Sequence, residues 1–283
     1  LGENFSPFIF LNTTQGIPSE AISHFDIFTT RYQENDIFLI NDTSFYKIEG
    51  NDLSLISQLP GTYSDNVLLT GGQSLNSIFL YAYIDGRIFK SINGGFSWID
   101  KGNAPSDWWW INGFNSSNLK TDKVFVGGME AFGSLNGGDD WSLINPWWEY
   151  YDDIKGKLHA DIPEIRFYLD EEYNEIALIS TDGGLYISDN YLDSVENISL
   201  TGLGVSQYYS TYSQKFRPYS IFAGSQDQGL QKSISDNDGV QDFEQIISGD
   251  YGHLVSGNQG VGIWANYPGF TIFYSDIINS NSN

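Results

Sequence analysis

A strand–turn–strand unit recurs six times along this chain, and that recurrence limits the folds open to it more than any other feature. Its clearest copy is GRIFKSINGGFSWID at 86–100. Ile88 and Phe89 supply β-branched and aromatic residues, and 93–95 (Asn-Gly-Gly) supplies residues that tolerate positive φ. From Phe96 to Ile99 the alternation resumes with a period of two. The Asn93 side chain can bond nearby backbone N–H groups and hold the turn closed.

The same ending returns as SFYKI at Ile48, RIFKS at Ser91, AFGSL around Ser134, GLYIS at Ser188, GLQKS at Ser233 and TIFYS at Ser275. Successive anchors lie 43, 43, 54, 45 and 42 residues apart. Each follows an apolar run and a tight turn. A period near 45 residues is that of a four-stranded propeller blade, so the expected fold is all-β, a single six-bladed β-propeller over 1–283. The expected blades are 21–60, 65–103, 108–146, 159–200, 205–247 and 251–283. After Ser275 the chain is too short and polar for a full outer strand, and SPFIFLN within 1–12 has the length and alternation to fill that place, closing the ring. The alternative is a piece of a longer ring with seven or more blades.

Composition agrees. Tyr, Phe and Trp number 18, 19 and 8, Met is single, and no long apolar stretch has helical spacing. The net charge of −23 opposes nucleic acid and anionic membrane surfaces, and no transmembrane run is present. Asp outnumbers Glu 24 to 12, as expected where short acids cap turns. With no cysteine there is no disulfide framework, thiolate metal site or thiol nucleophile. Acidity and aromatic richness point to an extracellular or cell-surface protein, expected as a mature chain without its leader.

SINGGFSW at 91–98 and SLNGGDDW at 134–141 resemble Asp-box (BNR) repeats, with Asn93 and Asn136 where the family usually has Asp; the other four anchors read as degenerate. In the second half, HADIPEIRF, ISTDGGLYIS, LGVSQYYS, AGSQDQGL, SGDYGHLV and ANYPGFTIFYS together resemble the sortilin-like and xyloglucanase-like propellers of secreted Bacteroidota proteins. The resemblance implies a propeller fold and export as cargo of type IX secretion. It does not imply one activity, since Asp-box propellers include sialidases, glycoside hydrolases, receptors and proteins with no known reaction.

In a propeller, the loops between second and third strands share one face with the connections between blades, and the Asp-box turns fall on the other. That sorting gathers His159, Asp161, Asp182, Asp227 and Asp250 on one rim. The two most aromatic connections join them: DWWWING, with Trp108, Trp109 and Trp110, and NPWWEYYDD, with Trp147, Trp148, Tyr150 and Tyr151. Flat aromatic faces beside hydrogen-bonding acids suit a sugar, and equally the aromatics could cover the blade tops. Trp98 and Trp141 are expected to pack between sheets.

Asp161, Asp227 and Asp250 are the weak candidates for a carboxyl pair of the glycoside-hydrolase kind, although turn chemistry alone explains acids in TDGG and QDQG. Sialidase chemistry is disfavoured: the chain has only Arg31, Arg87, Arg166 and Arg217, and no FRIP-type motif. No nucleophile elbow accompanies His24, His159 or His253. No cofactor is expected; Ca²⁺ is the cation that 235–239 and 152–153 would suit, and His159 with Asp161 could share a metal with His253. The leading expectation is a non-enzymatic binding or adhesion module that contacts a glycan or a protein partner. A glycoside hydrolase and a structural subunit of a larger surface assembly are the alternatives.

Overall fold

The computed structural model of the protein describes residues 24–30, 36–50, 52–61, 66–74, 77–105, 113–199, 207–214, 220–226, 228–233, 242–257 and 262–274. The expected closing strand in 1–12 lies outside them. The chain divides into two compact units, at residue 201.

The first unit holds four sheets. Sheet one is β1 (Phe25–Thr29), β2 (Ile37–Asn41), β3 (Ser44–Glu49) and β4 (Asp52–Gln58); sheet two is β5 (Val67–Ser74), β6 (Ser77–Ile84), β7 (Arg87–Ser91) and β8 (Ile99–Asn103). Sheet three is β9 (Gly113–Ser116), β10 (Val124–Gly127), β11 (Ala131–Ser134) and β12 (Ser142–Leu143). Sheet four is β13 (Glu164–Leu169), β14 (Glu175–Thr181), β15 (Gly184–Ser188) and β16 (Glu196–Asn197). The second unit holds sheet five, β17 (Tyr208–Ser213), β18 (Ile221–Ser225), β19 (Gly229–Ser233) and β20 (Phe243–Ile247), and sheet six, β21 (Leu254–Gly257), β22 (Gly262–Tyr267) and β23 (Phe270–Tyr274).

Every sheet is an antiparallel meander whose strands are hydrogen-bonded in chain order. The molecule is all-β, and six successive meanders are the sheet organisation of a β-propeller. In the first unit β1 neighbours β5, β5 neighbours β9 and β9 neighbours β13, so the first strand of each sheet is its inner one; β17 and β21 are adjacent likewise in the second unit.

Most of the core lies between sheets. Phe38, Ile40 and Phe45 of sheet one meet Leu69, Ala82 and Phe89 of sheet two. Phe79 and Tyr81 meet Phe114 and Val126 across the next interval, and Phe125 and Ala131 meet Ile165 and Tyr186 across the third. This explains why β2 and β10 are apolar almost throughout: a strand packed on both faces loses the alternation of a half-exposed one. Trp98 and Trp141 take up the expected places between sheets. Trp98 stands edge-on to Phe45 with centroids 5.1 Å apart, and its indole N–H donates to Ser57 Oγ at 3.1 Å.

Three loops leading to the outer strands share one hydrogen-bond pattern. Ser91 Oγ donates to Asn93 Oδ1 and accepts from the Gly95 N–H, while Asn93 Oδ1 accepts from the Ser97 N–H. Ser134 and Asn136 do the same for Gly138 and Asp140. So do Ser188 and Asn190 for Leu192 and Ser194, although the sequence of that anchor is degenerate, with 191–192 as Tyr-Leu and Val195 in place of the tryptophan. The Gly-Gly signal is missing there because Tyr191 and Leu192 themselves adopt φ of 62° and 64°.

Candidate functional site

Between sheets three and four the chain makes its longest described excursion, and the buried Asn145 side chain closes it. Its Nδ2 donates to the carbonyls of Pro146 and Leu158, and its Oδ1 accepts from the Leu158 N–H at 3.0 Å. Pro146, at φ −61°, then leads into a 3₁₀ helix, Trp147–Tyr151. Glu130, from the hairpin turn of sheet three, accepts from the Trp147 N–H at 3.0 Å, and Lys157 pairs with Glu149 at 2.7 Å. Asp153 Oδ1 accepts from the N–H groups of Lys155 and Gly156, as a turn-capping carboxylate does.

The helix is too short to bury a face, so three of its four aromatic residues stay outside. Trp147, Trp148 and Tyr151 are 38%, 57% and 62% exposed. Trp147 meets both Trp148 and Tyr151 edge to face, with centroids 6.0 and 6.1 Å apart. Tyr150 turns inward, its ring 4.5 Å from the imidazole of His159.

His159 is buried, and its Nδ1 lies 3.0 Å from the Ala160 carbonyl oxygen. It fits because the neighbouring turn residue is Gly183, where a Cβ would stand 2.4 Å from that of His159. Asp161 adopts φ of 58°; its N–H donates to the Met129 carbonyl, and its own carbonyl accepts from the Asp182 N–H at 3.3 Å. That last bond repeats through the unit. Asp42 donates to the His24 carbonyl and Asp85 to the Asn66 carbonyl, each fixing a hairpin turn to the start of its inner strand. Beneath this rim Tyr186 is fully buried, and burial pushes its hydroxyl up to about 12.

The structure therefore brings Trp147, Trp148, Tyr150, Tyr151, His159, Asp161 and Asp182 to one rim of the first unit. Trp108, Trp109, Trp110 and Asp227 lie outside the described residues. Asp250 belongs to the second unit, where it lines a shallow cavity of about 310 Å³ with Tyr209, Gln226 and Asn266. Among the described residues no three His, Asp or Glu side chains converge to hold a metal ion, and the 235–239 loop lies outside them.

A second polar region was not singled out from sequence. The inner strands β1, β5, β9 and β13 line a cavity of about 460 Å³ containing Asp26, Asn115, Glu164 and Arg166. Asp26 accepts from the N–H groups of Leu69 at 2.7 Å and Ile27 at 2.8 Å; burial raises its carboxyl pKa, against the pull of these donors and Arg166. Arg166 holds Glu164 at 2.7 Å. Glu164 and Arg166 share a strand face at i and i+2, which was the available signal, but alone it reads as a solvated face.

No protein-family model matches the chain, and no curated protein matches it significantly. Among solved structures it is similar to the GH74 enzyme of Niastella koreensis, at 13% identity over 89% of this chain and 37% of that one, with a TM-score of 0.42. It is also similar to YCF48 bound to D1 peptide, at 10% identity over 93% and 82%, with a TM-score of 0.41. A third likeness is to the extracellular domain of the putative one-component system BT4673 from B. thetaiotaomicron, at 14% identity over 88% and 34%, with a TM-score of 0.40. The chain spans little more than a third of the length of the first and third of these proteins.

Proposed function

We propose that the chain is a non-enzymatic binding or adhesion module of the exported Asp-box propeller kind, working outside the cell or at its surface. Its rim of Trp147, Trp148, Tyr150 and Tyr151, with His159, Asp161 and Asp182, contacts a glycan or a protein partner. The observation that carries this reading is the exposure of three large aromatic side chains on a helix fixed by Asn145 and Glu130. Exposed indole and phenol faces beside carboxylates bind the C–H faces and hydroxyls of neutral sugars, and the chain's charge of −23 repels anionic ones. No cofactor enters this reading.

A glycan array and a reducing-sugar assay on the same preparation test it. Binding without turnover is expected, with Trp148→Ala weakening it about tenfold or more while the melting temperature stays within about 1 °C, since that side chain is 57% exposed. Turnover abolished by Asp161→Asn would replace the proposal with the hydrolase reading. Self-association with no ligand on the array would replace it with a structural subunit.

A further inference from the structure

The intervals between neighbouring sheets of the first unit are filled differently, and one is left open. Cross-strand register sets Lys90 opposite Tyr81 in sheet two where sheet three has Gly133 opposite Phe125. It likewise makes Ile144, next to β12, the counterpart of Lys101 in β8. The serine-anchored loops make Asp193 of sheet four the counterpart of Asp139 of sheet three.

Between sheets two and three the interval is filled from within the chain. The Lys90 ammonium lies 2.3 Å from where a Cβ on Gly137 would stand and 5.3 Å from the Tyr81 ring centroid, and Lys101 reaches Asp139 at 2.6 Å. Between sheets three and four neither lysine has a counterpart. Tyr191 and Leu192 enter from the loop, yet a groove of about 660 Å³ remains. Leu135 and Leu143 line it and are 61% and 39% exposed. Asp193 is exposed there with no basic partner among the described residues, while the ammonium of Lys123 sits 3.6 Å from the Tyr191 ring centroid.

We propose that this groove docks an extended basic segment of a protein partner. A Lys or Arg of that segment meets Asp193 as Lys101 meets Asp139, and an apolar residue beside it covers Leu135 and Leu143. Both the chemistry and the sign follow from the filled interval, and the charge of −23 favours a cationic partner.

Selection of phage-displayed random dodecapeptides on the whole chain tests this. Enriched peptides are expected to combine Lys or Arg with Leu, Ile or Phe, and to bind Asp193→Lys at least about tenfold more weakly than the unaltered chain. Their affinity should fall with added salt. Asp193 is exposed, so the variant should keep the parent melting temperature, and a Leu143→Glu variant gives an independent reading of the apolar half. Failure to enrich any peptide, peptides without basic residues, or equal binding to both variants would overturn the proposal. So would sedimentation showing that the groove is instead covered by a second copy through an Asp193-dependent dimer.

Discussion

The serine-anchored loops of sheets two and four follow one backbone path with opposite side-chain arrangements. In sheet two the turn is Gly94-Gly95, and the adjoining space belongs to Phe45 of sheet one and to the loop's own Trp98. In sheet four the turn is Tyr191-Leu192, both in the left-handed region, and the residue matching Trp98 is Val195. Volume has moved from the end of the loop to its bend. Leu192 is 2% exposed in the core of sheets three and four, and Tyr191 stacks on Phe167 with centroids 6.2 Å apart. A non-glycine residue at positive φ costs about 1–2 kcal/mol, whereas a buried leucine side chain contributes more than that, so packing outweighs local strain. The loop conformation is therefore set by Ser and Asn side chains, and glycine is required only where a neighbour already occupies the space.

The largest effect is expected when the sheet-four residue is placed in sheet two. In Gly95→Leu the new Cβ would stand 2.0 Å from Phe45 Cε1 at a φ of 89°, so a loss of about 3–5 kcal/mol is expected by urea unfolding. A loss below about 1 kcal/mol would mean that glycine is dispensable there too. The reverse exchange, Leu192→Gly, relieves strain but removes a buried side chain, and a smaller net loss of about 2–3 kcal/mol should appear in the same assay. A stabilised Leu192→Gly would show that strain, not packing, dominates.

The smallest effect is a difference in alkaline behaviour. Burial, with Glu175 nearby, raises the Tyr191 pKa, so the folded state holds its proton after the unfolded chain has lost it. Its contribution is present below the ordinary tyrosine pKa of about 10 and is lost as pH rises above it. Lys90 has the opposite sign: burial and then Lys101 lower its pKa, so the unfolded chain binds the extra proton and stability from this group rises with pH. Unfolding measured between about pH 9 and pH 11 should therefore decline less steeply in Tyr191→Phe and more steeply in Lys90→Met. Parallel profiles for the two variants would contradict these assignments.

How much of this was visible in the sequence follows from how local each cause is. Hairpin turns such as Asp85-Gly86 and the loops at Ser91 and Ser134 are fixed by residues within a few positions of one another, and their spacing revealed the repeated sheets. The loop at Ser188 was obscured because its positive φ values rest on Phe125, Phe167 and other residues of distant strands. Whether Trp147 and Trp148 faced solvent could not be read from residue type. It depends on Asn145 binding Leu158 and on Glu130 reaching the helix start. The cavity holding Asp26 and Arg166 was equally hidden, because it requires four inner strands to converge. Sequence periodicity shows the strands but not which of their outward residues face one another.

The anchoring of these loops by two side chains also bears on how such a chain can change over time. Because Ser188 and Asn190 hold the backbone of their loop, the residues between and after them can be exchanged without remaking the turn, as Tyr191 and Leu192 demonstrate. Each anchored loop is thus a position where new surface chemistry can be tried while the sheet beneath stays intact. A library confined to 94, 96 and 139 would sample such variation while leaving Gly95 and Gly137, whose side-chain space Phe45 and Lys90 already fill, unchanged.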